Sequence, residues 1–556
     1  MSNKKQHDEE HSKIYKVWLW VKRWWLPIAI LLITSIGLAC ALSIPQRVFE
    51  TPREPANDKS APVLLAQSNL RLAFLYITGG AIAVMGLVET FRKNNNEKLK
   101  NDQDKEKNDR EHERWVKAER RERYAKAVEQ LGDEKAPVRM GGVYTLIGLV
   151  DDWLEEKSLS DDERLKEGQA IINNLCAYIR SPFTLASYYD ELSQASPVPE
   201  GIYKDKEEFY ADKAVLESEA DVRLGIIKEI HDHIQASREN NWGPWSNFEY
   251  NFSGSVFFYP VELTKSYYKK PVNFSDSIYQ SRAYFSDSTY RDEADFGGST
   301  YQGRTDFSGS TYQGRTDFSD STYQGRTDFS RSTYQGRTDF SRSTYKSEAY
   351  FGGSTYRGRA YFGGSTYKSE AYFGGSTYRG RAYFGGSTYK SEAYFGGSTY
   401  QSRANFGGST YKSEADFSGS IFCSEIYFGY SKYHDISSRF TGCAPQFYNE
   451  KNCKNTLFGS PNNNFTVENG RGYPIYRNFE GLPLGCKFLT SEQKEYLADK
   501  FQEIEETKNK LREVKDPKEK EELLKKLRSL NEELHKWREE VTTVKVEDGA
   551  IENTES

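Results

Sequence analysis

The sequence predicts a mainly β solenoid carried on a membrane anchor, and three features carry that expectation. Aromatic residues recur with one unbroken period through much of the C-terminal half, from Phe252 to Phe428. The composition is that of a reused unit, with 39 Tyr, 32 Phe and 43 Gly against 3 Met in 556 residues. Two apolar runs near the N-terminus are each long enough to cross a bilayer. Periodicity on this scale marks stacked repeats in which each turn buries its neighbour's face.

The apolar runs extend from Trp24 to Ile44 and from Leu70 to Phe91. Each has roughly the 20 residues that a hydrocarbon core of ~30 Å requires. Trp18, Trp20, Trp24 and Trp25 stand where an interfacial belt is expected. Residues 1–23 carry six Lys or Arg, residues 92–111 carry seven, and the loop 46–69 carries three. Both ends therefore face the cytoplasm, with a short loop outside. The alternative is a cleaved signal peptide ending near "GLACALS", which leaves the second helix in the same orientation. The tail and two-helix anchor fill residues 1–92.

Residues 93–135 read as a charged helical stalk, with order beginning near Trp115 and a stop at Gly132. A helical segment follows over 136–246, with helices after Pro137, over 167–180 and over 220–234. The stretch "RYAKAVEQLGDEKAPVRMGGVYTLIGL", followed by "LCAYIR", resembles the segment between anchor and solenoid in bacterial membrane-anchored pentapeptide-repeat proteins. That resemblance covers roughly residues 115–180 and implies a folded adaptor without a catalytic site. His231 and His233 lack a third ligand in view, and Cys443, Cys453 and Cys486 near His434 lack a CxxC pair, so neither set predicts a metal site. No cofactor is expected.

The solenoid is placed over 247–435. Its aromatic residues are spaced alternately five and six apart, giving an 11-residue unit such as "FSGSTYQGRTD" or "FGGSTYKSEAY". The residue two before each aromatic is small, as Ser310 is before Tyr312 and Ala360 before Phe362, and such a pair points the same way along a strand. This is similar to the pentapeptide-repeat pattern of a large central residue with a small one two before it, with one residue inserted in every second repeat. The resemblance implies a right-handed quadrilateral β-helix with two units, about 22 residues, per coil. A coil of a single unit would hardly enclose two aromatic rings. Eight coils at ~4.8 Å give a rod of roughly 38 Å. Burying each ring contributes about 1.5–3 kcal/mol. The Tyr hydroxyls are expected at corners, reaching outward to satisfy the phenol.

Coils of two units would stack the arginines after alternate tyrosines into one ladder: Arg315, Arg337, Arg359, Arg381 and Arg403. Asp317 and Asp339 neutralise its lower part, whereas Tyr361 and Tyr383 flank its upper part and leave Arg357, Arg359, Arg379, Arg381 and Arg403 uncompensated. Arginines beside tyrosines suit phosphate-bearing surfaces; solvated charges that keep the rod soluble are the blander reading. The opposite corner stacks Arg304 and Arg326, then a mixed ladder from Lys346/Glu348 to Lys412/Glu414.

Residues 436–489 read as an irregular cap, which a solenoid needs to cover its last coil. Thr490 with Gln493, and Asp516 with Pro517 and Glu519, announce two helices within 490–556. The second carries Leu523, Leu527, Leu530, Leu534, Trp537 and Val541 at coiled-coil spacing. The short link favours a hairpin within one chain over oligomerisation through these helices, and a charged tail begins near Glu547.

The functional expectation is a non-enzymatic scaffold at the bacterial inner membrane, with both termini and the rod cytoplasmic, presenting the rod to an unidentified protein. The alternative is a nucleic-acid or anionic-lipid binder, or a DNA mimic of the topoisomerase-protecting type. Residues 273–428 carry 17 Lys or Arg and 16 Asp or Glu, too balanced for the continuous acidic surface of a mimic. No paired carboxylates, nucleophile–base set or phosphate loop in its proper context points to an enzyme.

Overall fold

The computed structural model describes residues 2–49, 61–235, 242–429, 437–451, 453–468, 470, 472–514 and 516–543. Two compact units divide at Glu119 and Arg120. The predicted tail from Glu547 and the histidine at 434 lie outside the described residues.

The first unit holds α1 (Ser2–Val48) and most of α2 (Ala61–Leu131). Trp24–Val48 and an apolar stretch within Pro62–Leu131 are long and apolar enough to cross a membrane. The two helices meet where a side chain on Gly37 would collide with Thr78, and Gln67 Nε2 donates to Pro45 O at 3.3 Å. The charged stretch after Phe91 continues α2 without a break as far as Gly132.

The second unit opens with the last turns of α2, α3 (Ala136–Glu155), α4 (Asp161–Arg180), a 3-10 turn (Thr184–Tyr188), α5 (Tyr189–Leu192) and α6 (Lys206–Ile234). Pro137 stands in the first turn of α3, where its missing N–H costs nothing. Ser160 and Glu163 form a capping box at the start of α4, and Asp205 caps α6, which is longer than the sequence pattern indicates. Val143, Leu146, Val150, Ile172, Leu175 and Ile226 are buried between these helices. Arg223 is buried as well, but its charge is matched: Nε donates to Glu219 at 2.7 Å, and Nη1 to Ile179 O at 2.8 Å. The Arg223 guanidinium also lies 5.6 Å from the ring of Phe258 in the first coil. Gln169 exchanges two 2.8 Å hydrogen bonds with the backbone of Glu249. The helices thus close the N-terminal end of the solenoid, which would otherwise expose an apolar face.

Four parallel sheets form the rod, each made of two-residue strands paired with the strands one coil away. The step from Ser288 to the Ser310 stacked on it is 22 residues, and the same step separates all paired strands of the regular coils. The sheets are named faces I to IV in the order the chain visits them. Face I contains Thr338–Asp339 and Ala360–Tyr361, and face II contains Thr322–Tyr323 and Thr344–Tyr345. Face III contains Thr327–Asp328 and Ala349–Tyr350, and face IV contains Thr333–Tyr334 and Thr355–Tyr356. Each coil buries Phe, Tyr, Phe and Tyr in turn, as Phe318, Tyr323, Phe329 and Tyr334 do. Like rings stack on like: Phe318 on Phe340 at 5.1 Å and 2°, Tyr323 on Tyr345 at 4.9 Å and 2°. Within the core, Phe318 meets Phe329 edge to face at 5.0 Å and 68°. Both arrangements suit the ring quadrupole. Phe252, Phe257, Leu263 and Tyr268 occupy the predicted first aromatic positions and are buried.

From Phe274 to Phe417, the second residue after the Phe that opens each eleven-residue unit takes a positive φ. Glycine holds most of these turns, as at Gly309 (69°), but Asp320 (58°), Arg331 (58°) and Arg342 (59°) hold others. These residues make a tight corner in the five-residue step from Phe to Tyr, whereas the inserted residue lies in the six-residue step from Tyr to Phe.

The tyrosine hydroxyls do not reach outward, contrary to the expectation from the sequence. In each Thr–Tyr strand the threonine faces out and the tyrosine in, so Tyr290, Tyr312, Tyr334 and Tyr345 are wholly buried. Alternation along a strand leaves the phenol no path to the surface. Burial raises these phenols well above their ordinary pKa. The serine two residues earlier offsets part of the rise, without completing a hydrogen bond of normal geometry.

The eleven-residue period ends at Phe428, but the stacking does not. Phe440 lies on Tyr411 at 4.6 Å, Phe447 on Phe417 at 5.1 Å and Phe458 on Phe422 at 5.4 Å. Irregular loops join these rings, so the cap is one more coil with its length disguised. The chain ends in α7 (Ser491–Glu513) and α8 (Pro517–Thr542). Thr490 and Gln493 form the predicted capping box, and Asp516 caps α8 through Lys518 N. The helices pack together, with Tyr496 stacked on Trp537 at 4.8 Å and Lys500 paired with Glu533 at 2.8 Å. Their apolar stripe, with Leu497, Ile504, Leu530 and Leu534, closes over Ile421 and Leu457 on face IV.

Candidate interaction surface

Each corner between a Tyr and the next Phe carries three variable residues, and their side chains divide between two faces. After Tyr356 come Arg357, beside face IV, and Arg359, beside face I; after Tyr378 come Arg379 and Arg381 in the same places. The hairpin covers the first pair of positions. Arg379 is left with 10% of its side chain exposed and pairs with Glu505 of α7. Burial, with Arg357 alongside, brings the Arg379 guanidinium down to about 10.

Two of the five arginines expected to be uncompensated are therefore paired. Arg379 meets Glu505, 126 residues away in sequence. Arg403 donates through Nε (2.9 Å) and Nη2 (2.7 Å) to Glu425 one coil above. In the lower coils the expected neutralisation holds, with Arg315 on Asp317 at 3.1 Å and Arg337 on Asp339 at 2.9 Å. Arg357 is partly covered, whereas Arg359 and Arg381 are exposed beside face I.

Arg359, Arg381, Tyr361 and Tyr383 come together as the sequence suggests. With Arg342, Ser341 and the glycines 363, 364, 385 and 386 they line an open groove of about 600 Å³. The tyrosines stack at 4.8 Å and 6°, and Arg337 lies 4.6 Å from the Tyr361 ring. The groove begins where the repeat changes. Lower coils place Asp339 outward, and Ser341 donates to it through both backbone N (3.1 Å) and Oγ (2.5 Å). At Tyr361 and Tyr383 the outward residue is aromatic and the two turn residues after the next Phe are Gly, which leaves the turns at 363–364 and 385–386 without side chains. A Cβ on Gly363 would collide with Gly385 O, so the close coil approach requires glycine there.

Face III carries a second tyrosine stack: Tyr350, Tyr372 and Tyr394 lie 4.7 and 5.0 Å apart. Its charges beside Tyr372 and Tyr394 are carboxylates, whereas Arg326 lies 4.3 Å from the Tyr350 ring. Tyr350 donates to Glu348 at 3.0 Å and Tyr372 to Glu370 at 2.9 Å. Lys346, Lys368, Lys390 and Lys412 are exposed and pair with none of these glutamates among the described residues.

The serines are buried as their inward position predicts, but the sequence reading missed their hydrogen bonds. Ser310 Oγ accepts from Ser288 N at 3.1 Å and donates to Phe285 O at 3.3 Å, and the same pair of bonds recurs along both serine columns. Each serine thus ties its coil to the one before it through its hydroxyl. Its invariance at a small, inward position was the available signal.

The two histidines weighed as metal ligands are committed elsewhere. His231 Nε2 is 2.7 Å from Thr264 O. His233 stacks on Trp245 at 4.2 Å and lies 3.4 Å from Asp151, which also accepts from Trp245 Nε1 at 2.9 Å. Among the described residues no three His, Cys, Asp or Glu side chains are grouped closely enough to hold a metal ion. Burial pushes the Cys176, Cys423 and Cys486 thiols up to about 12, which makes them poor nucleophiles. Compared with protein-family models, curated proteins and solved structures, the chain matches none.

Proposed function

We propose that this chain is a non-enzymatic, membrane-anchored scaffold of the pentapeptide-repeat type, which presents face I of its rod to a protein partner on the cytoplasmic side of a bacterial inner membrane. The observation that carries the reading is the face I groove. A rod stabilised by its own interior has no structural need for exposed Arg359 and Arg381 beside stacked Tyr361 and Tyr383. Arginine and tyrosine are the residues that concentrate binding energy at protein interfaces. The candidate membrane spans support the anchor, and the Lys and Arg bias around them supports the cytoplasmic side. A nucleic-acid reading draws on the same arginines but loses Arg379 and Arg403 to carboxylates of this chain.

The test is a photo-crosslinking residue at Tyr383 in the full-length protein, with and without Arg359→Glu and Arg381→Glu. A discrete adduct that disappears in the double variant supports the reading. No adduct, or one indifferent to the charge reversal, contradicts it.

A further inference from the structure

Faces I and III are opposite sides of the same four-sided coil, and they are chemical complements. Each displays tyrosines stacked at the coil spacing, 4.8 Å for Tyr361 and Tyr383 and 4.7 Å for Tyr350 and Tyr372. Beside the first stack stand arginines, and beside the second stand glutamates. Arg359 and Glu370, one repeat unit apart, belong to opposite sides of one coil, as do Arg381 and Glu392.

Within one chain these charges cannot meet, because the core lies between them. From Arg315 to Arg403, and from Glu348 to Glu414, each ladder instead repeats one sign of charge, which is unfavourable along a sheet face. Arg381 forms no ion pair among the described residues. Sliding a second chain sideways, without rotation, sets its face III against face I of the first. Because the paired residues occupy the same coil, each glutamate then arrives level with an arginine. The register is automatic, since both ladders are built on one coil rise.

We propose that face III of one chain docks on the face I groove of a second copy, placing Glu370 and Glu392 against Arg359 and Arg381 with the tyrosine stacks in contact. The contact is heterologous: one chain of a pair keeps its face III unused and the other its face I, so pairs extend into open parallel rows instead of closing into dimers. All rods in a row point the same way. The proposal rests on reading face I as an interaction surface and names its occupant.

Sedimentation of the full-length protein in detergent, across a range of concentration and salt, tests it. The expected result is a concentration-dependent rise in mass that weakens at high salt. Arg359→Glu with Arg381→Glu, and separately Glu370→Arg with Glu392→Arg, should each weaken association at least about tenfold, which is ~1.4 kcal/mol. Mixing the two double variants should restore it, because the glutamates of one then meet the arginines of the other; misfolded variants would not rescue each other. A chain that stays monomeric at every concentration overturns the proposal. So does association that ignores both charge reversals, or that disappears only on removal of α7 and α8. If the Tyr383 adduct persists while self-association is absent, the scaffold reading stands and the occupant is a different protein. If both are absent, both fail.

Discussion

Replacing Phe340 with Ala removes a ring from the middle of the rod, and the structure sets the size of the effect. Phe340 is wholly buried between Phe318 and Phe362, each at 5.1 Å. It also meets Phe329 at 5.0 Å and Phe351 at 5.2 Å, edge to face. Serines and backbone fix the coil spacing, so the neighbours have little freedom to collapse into the gap. The loss should fall in the upper part of the range for large-to-small core changes, about 3–5 kcal/mol. Coils touch only their neighbours, so the weakening should concentrate at this level. Hydrogen exchange of the full-length protein reads it directly: protection of Thr338, Thr344 and Thr366 amides should fall by at least about a hundredfold. Tyr345→Phe is the control. It keeps the ring and removes a buried hydroxyl lacking a normal hydrogen bond, so its effect should be within about 1 kcal/mol of zero, or stabilising. A Phe340→Ala loss below about 1 kcal/mol would refute the reasoning, because cavity and transfer terms would then be absent.

Three further outcomes follow from other contacts. Ser332→Ala removes the bond from Ser310 N (3.2 Å) and the bond to Phe307 O (3.3 Å), and should cost about 1–3 kcal/mol in the same exchange experiment. The Asp151 contact holds His233 protonated above the ordinary imidazole range. This stabilisation is complete below that range and lost as pH rises through the raised value. Burial alone would raise Asp151, but bonds from His233 and Trp245 outweigh it, so its contribution is present above the usual carboxylate range and lost as pH falls through the lowered value. Thermal unfolding of the helical segment should therefore show a falling midpoint from pH 6 to 8, and His233→Gln should flatten that slope. Glu505→Gln leaves Arg379 covered without its countercharge, which should release the hairpin by about 1–2 kcal/mol and quicken proteolysis within α7 and α8.

The fold was legible because its code is local and repeated. Phe274, Tyr279, Phe285 and Tyr290 reveal the period, and the volume of two rings excludes a coil of one unit. What stayed hidden was set by contacts the period does not encode. The tyrosines were misplaced because a buried phenol was assumed to seek water, whereas Tyr312 accepts a poor hydroxyl environment for a stacked ring. Arg379 was read as uncompensated because nothing near it in sequence points to Glu505. Arg403 is different: Glu425 is one coil above, a position that the two-unit spacing gives but that the sequence reading did not use. The pairing of Phe440, Phe447 and Phe458 with the stacks was masked by loops of unequal length.

The central claim is that one winding takes two repeat units and sets like upon like. Nitroxides at Thr300→Cys and Thr388→Cys, both outward on face II, test it most directly once the six native cysteines are replaced. Four successive strand pairings join these positions, from Thr300 through Thr322, Thr344 and Thr366 to Thr388. At ~4.8 Å per strand the backbone separation is about 19 Å, and the electron–electron distance should centre near that value. A distribution centred at roughly 38 Å, the length of eight strand steps, would mean a coil that closes after every single unit and would contradict the account.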